Sequence, residues 1–82
     1  MIYSQLLQKL SRFGVAQVGR LRGGGHLDTV YLGRQDEIVY PYPLNMYPLI
    51  LDNGLESDIH EEVIAAILRR FEIDPAKFYP PN

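Results

Sequence analysis

The stretch Arg20–Pro43, RLRGGGHLDTVYLGRQDEIVYPYP, constrains the fold more than any other part of the chain. Gly23, Gly24 and Gly25 together open backbone angles closed to other residues, so they permit a tight reversal or the close approach of a ligand. His26 stands at the edge of that opening. Leu27, Thr29, Val30, Tyr31 and Leu32 then have the composition of a strand, Gly33-Arg34-Gln35-Asp36 reads as a polar turn, and Ile38, Val39 and Tyr40 read as the return strand. Pro41 and Pro43 end it, because proline cannot donate to a ladder. A sheet of this kind needs one face covered, and the flanking segments carry the helical periodicity to cover it.

Leu6, Leu7, Leu10 and Phe13 recur as one face of a helix over Ser4–Phe13, with Ser4 as the expected N-cap and Gly14 placed to end the helix in a left-handed conformation. Val15, Val18 and Leu21 follow in an imperfect alternation that reads as the first strand. Near the C-terminus Ile59, Val63, Ile64, Ile67, Leu68 and Phe71 mark a second helix, with Asp58 and Glu61 in a capping-box pattern and Ser57 as the alternative cap. Its acidic first turn and Arg69-Arg70 in its last turn suit the helix dipole. Asp74-Pro75 reads as a fresh cap opening a short helical turn at 75–79. The expectation is one α+β domain over residues 1–82, with the order α-β-β-β-α. It is a three-stranded antiparallel meander with two helices on one face, and its core holds Leu6, Leu10, Phe13, Val30, Val39, Val63, Ile67 and Leu68.

Leu44–Leu55 fits this scheme least. Met46, Tyr47, Leu49, Ile50 and Leu51 make it too apolar for a free loop, and Pro48 makes it too broken for a helix. We read it as an apolar insertion at 44–55 that either folds over an open edge of the core or buries itself against another chain, as a homodimer or with a cognate partner.

With 82 residues and no cysteine, neither disulfides nor a thiolate zinc site can hold the domain together, so its stability must come from packing. No apolar run approaches the roughly 20 residues of a membrane span, and there is no basic-then-apolar leader, so the expected setting is the cytoplasm without a membrane. Two distant histidines give no metal-ligand spacing, and no cofactor is expected. Charge is unevenly divided. Residues 1–36 carry Lys9, Arg12, Arg20, Arg22 and Arg34 against Asp28 and Asp36, a net +3, whereas residues 37–82 carry three basic against eight acidic residues, a net −5. The glycine run lies in the positive half, where Arg20, Arg22 and Arg34 are candidate phosphate contacts.

In this order, the residues resemble the HicA family, also called YcfA-like: small messenger-RNA-cleaving toxins paired with HicB antitoxins. Gly23-Gly24-Gly25-His26 occupies the place of the family's glycine-serine-histidine type motif. Ile38-Val39-Tyr40-Pro41 is similar to its hydrophobic strand ending in proline, and Ala66–Ile73 to its terminal helix. The resemblance implies a fold like that of double-stranded-RNA-binding domains, which read RNA chiefly by shape. It also implies His26 as the catalytic residue of an endoribonuclease, with Arg20, Arg22, Gly24, Gly25 and Arg34 at the RNA and a HicB-like antitoxin as partner. The alternative is a catalytically inactive relative that serves as a protein-interaction module.

Overall fold

The computed structural model describes residues 1–22, 27–34, 36 and 46–79. Helix α1 (Tyr3–Ser11) is followed by strands β1 (Val15–Arg22), β2 (Asp28–Arg34) and β3 (Tyr47–Leu51), a 3-10 turn (Gly54–Glu56), helix α2 (Glu61–Arg70) and the single-turn helix α3 (Pro75–Phe78). The strands pair antiparallel in the order β1-β2-β3. This is the expected α+β layout of a helix, three strands and a helix, with the short C-terminal turn added.

Among the described residues the third strand lies in the segment after the expected hairpin. Ile38–Tyr40 lies outside the described residues, and the partner of β2 is Tyr47–Leu51, inside the segment read as an insertion. Pro48 is tolerated there because β3 is the outermost of the described strands, where a missing N–H need not interrupt a ladder. Asp52-Asn53-Gly54 makes the turn its composition implies, with Gly54 at φ 55°.

Both expected helix caps shift for one shared reason. Ile2 and Asp58 form an isolated β-bridge, in which the Tyr3 N–H donates to the Ser57 carbonyl at 2.8 Å and the Ile59 N–H to the Met1 carbonyl at 2.7 Å. The first orphan amide of α1 is thereby satisfied by backbone, so the helix starts at Tyr3 with Ile2 in the cap position and Ser4 already inside. Asp58 is held in the same bridge, and the Ser57 hydroxyl accepts from the Asn53 N–H at 2.8 Å. The cap of α2 is therefore His60, whose Nδ1 accepts from the Glu62 N–H at 3.1 Å. Gly14 ends the α1 segment at φ 75°, as expected, and Asp74 caps α3 by accepting from the Ala76 N–H at 3.0 Å.

One face of the sheet builds the core. Val30 and Leu32 of β2 and Leu49 and Leu51 of β3 are buried together with Leu6 and Leu10 of α1 and Ile64, Ile67 and Leu68 of α2, so both helices cover the same face. Phe71, Ile73 and Phe78 close the C-terminal side. Phe13 and Val63 pack against this cluster from its margin, and Val39 lies outside the described residues.

Tyr3 is fully buried, its hydroxyl donating to Gln17 Oε1 at 2.8 Å, and burial pushes its phenol from 10.0 up to about 12. The unfolded chain gives up this proton near pH 10 and the folded chain only near pH 12. Stability is therefore fully present below pH 10 and is lost as pH rises towards 12. Urea unfolding at a series of alkaline pH values is expected to show the wild type losing stability relative to Tyr3→Phe above pH 10.

Candidate functional site

Arg22 and Asp28 are register partners at one end of the β1–β2 hairpin, and residues 23–27 lie between them in sequence. His26, Gly24 and Gly25 lie within 23–26, outside the described residues; the strand ends that anchor them are described. Just before them β1 carries an irregularity. The pairing runs Gln17↔Leu32 and then Gly19↔Tyr31, leaving Val18 as the extra residue of a bulge. Strict alternation from buried Val15 would send Leu21 to the core side. The bulge instead turns Arg20 to the side of Val30 and sends Leu21 outward, because one extra residue exchanges the two faces.

Two features result at the glycine end. On the helix side, Arg20 meets Asp28 in an ion pair of 2.7 Å that remains open to solvent. On the outer side, Leu21, Thr29 and Ile50 form one cross-strand row, with Leu21 62% and Ile50 65% exposed. The next row is Gly19, Tyr31 and Pro48, so neither row contains a charged residue. Leu27, immediately after His26, is also exposed.

Arg34 stands at the other end. It pairs with Val15, and its guanidinium donates to the Phe13 carbonyl at 2.8 Å and to the Phe71 carbonyl while lying over the Phe71 ring. Those carbonyls follow α1 and cap α2, so one planar fork ties both helix ends to β2. The structure thus brings Arg20 and the Arg22 position together beside the 23–27 link and leaves Arg34 a sheet's length away. Arg34→Met, which keeps the stem and removes the donors, is expected to cost about 2 kcal/mol of unfolding free energy. Urea titration measures it, and an unchanged midpoint would show that the two carbonyls find other partners at no cost.

Sequence reasoning missed the bulge and the role of Arg34. The bulge left a trace, since Val15, Val18 and Leu21 are spaced by three and match no regular strand period. Arg34 left none, because the carbonyls it holds are 21 and 37 residues away in sequence.

Chemically, the glycine end offers an arginine already bonded to a carboxylate, so an incoming phosphate would compete with Asp28 for it. Around it lies an apolar, uncharged surface on which a larger partner can rest. Among the described residues no group of three or more His, Asp or Glu side chains comes together as a metal site. No helix among them is long and apolar enough to cross a membrane. No family model, curated protein or solved structure matches the chain.

Proposed function

We propose that this chain is a HicA-like RNA-binding domain, acting in the cytoplasm as the messenger-RNA-cleaving toxin of a HicA/HicB-type pair. The observation that carries this reading is the element order. A helix, three antiparallel strands and a helix on one sheet face are what the resemblance implies, and the Gly23–His26 motif lies in sequence between β1, which carries Arg20 and Arg22, and β2. In this reading Gly24 and Gly25 clear room for a phosphate backbone, and Arg20 and Arg22 hold it. His26 takes the proton of a ribose 2′-hydroxyl as that oxygen attacks phosphorus, or returns one to the leaving 5′-oxygen. Arg34 supports the fold in this scheme. Incubating RNA with the wild type and with His26→Ala tests the proposal.

One observation favours the second reading, a catalytically inactive HicA-like interaction module. The outer rows of the sheet are uncharged and leave Leu21 and Ile50 exposed, a surface suited to a protein partner such as a HicB-like antitoxin. A homodimer through 44–55 would use less of that segment than its composition suggests. Leu49 and Leu51 are turned into the core, leaving Ile50 and Leu55 exposed.

A further inference from the structure

The outward face of α2 carries Glu61, Ala65 and Arg69 in a single row, each four residues from the next, and all three are exposed. Beside the row runs a groove of about 680 Å³ walled by Leu68, Ile73 and Tyr79. Glu61 and Arg69 stand about 12 Å apart along the helix, too far to pair with each other. Neither of them takes part in the ion pairs Met1–Asp58 and Arg20–Asp28. The helix dipole accounts for an acid in the first turn and a base in the last. What sets this row apart is the groove along its side, an apolar surface that a partner could cover.

We infer that this face binds a second copy of the same chain, with two α2 helices packed antiparallel about a two-fold axis at Ala65. The charge pattern selects this occupant. A two-fold contact brings residue i of one copy against residue j of the other and j against i. Reversal about Ala65 sets Glu61 of each copy opposite Arg69 of its mate, giving two ion pairs from one row. Ala65 has no side chain beyond Cβ to hold the helices apart, so their axes can approach to about 8 Å. The Tyr79 ring, 45% exposed on the groove wall, would be covered. The surface is distinct from the sheet face and from segment 44–55.

Sedimentation of the purified chain from about 10 μM to about 1 mM, the range suited to a contact of two short helices, is expected to show a monomer–dimer equilibrium. Glu61→Arg and Arg69→Glu are each expected to weaken self-association about 10- to 100-fold, because each turns two attractions into two repulsions. An equimolar mixture of the two variants should associate again as a heterodimer, since every pair across the axis is then opposite in charge. Ala65→Glu, which places like charges at the axis and fills the groove, should abolish association. Thermal unfolding at the lowest concentration checks that each variant keeps the monomer fold. A monomer at every concentration overturns the inference. So does a dimer indifferent to all three substitutions, which would lie on another face, or a mixture of the two charge variants that fails to associate.

Discussion

Truncating Ile67 to alanine is expected to lower the free energy of unfolding by about 2–5 kcal/mol, because it removes three carbons from the interior and leaves a cavity that its neighbours fill only in part. Ile67 is fully buried in the middle of α2, in one cluster with Leu6 and Leu10 of α1 and Val30 and Leu32 of β2. Every layer of the domain meets there. A single core with no disulfide has a total stability of about 5–15 kcal/mol at most, so the loss could leave a large fraction of the chain unfolded at 37 °C. Ala65→Gly on the exposed face of the same helix provides the contrast, since it changes helix propensity by about 1 kcal/mol without touching the core. Urea denaturation of the two variants should separate them clearly. Equal losses would mean that α2 is held by its own propensity and not by packing on the sheet.

How far such a core can be read from sequence depends on whether the pattern is local. Leu6 and Leu10, or Ile64, Ile67 and Leu68, lie one helical turn apart, so their periodicity is visible within a few residues and places both helices correctly. Gly14 and Asp74 announce their roles by residue type alone, through a left-handed angle and a proline in the first turn. The elements that were misplaced depend on partners far along the chain. Ser4 and Asp58 are reasonable caps until Ile2 and Asp58 pair with each other, which satisfies the first amide of α1 with backbone and passes the second cap to His60. Tyr47–Leu51 shows strand alternation, with Leu49 and Leu51 inward and Pro48 and Ile50 outward, but a proline within it argues against a strand unless the strand is known to be an edge. Arg34 has the composition of a hairpin turn around it and a structural task that only the packed helices define.

At the glycine end the same logic applies in reverse. The motif Gly23–His26 was legible as a motif, whereas the surroundings that decide its chemistry came from register. The bulge at Val18 determines that Arg20 shares a face with Asp28 and that Leu21 does not, and no residue-by-residue reading supplies that parity. It also sharpens the electrostatics. The positive half of the chain does not deliver its charge to one place: Arg34 is committed to two carbonyls at the far end, and Arg20 is partly neutralised by Asp28. Phosphate binding at this site would therefore rest on few contacts.

That scarcity makes His26→Ala the most informative substitution. If the domain cleaves RNA, the rate is expected to fall about 10²–10⁴-fold, the usual contribution of a positioned general acid or base. The unfolding midpoint is expected to stay where it is, because the core is assembled from the helices and the inner sheet face. Binding should weaken with added salt in proportion to the phosphates held, with a logarithmic slope of about −0.7 to −0.9 for each. Two arginines thus predict a shallow dependence, and Arg20→Gln should reduce it further while freeing Asp28. Induction of the wild type in bacteria without an antitoxin should arrest growth and degrade messenger RNA, and His26→Ala should do neither. Equal growth in both cultures, with RNA left intact by both purified proteins, would remove the enzyme. The uncharged row of Leu21, Thr29 and Ile50 would then be the feature left to explain, and with it the interaction module.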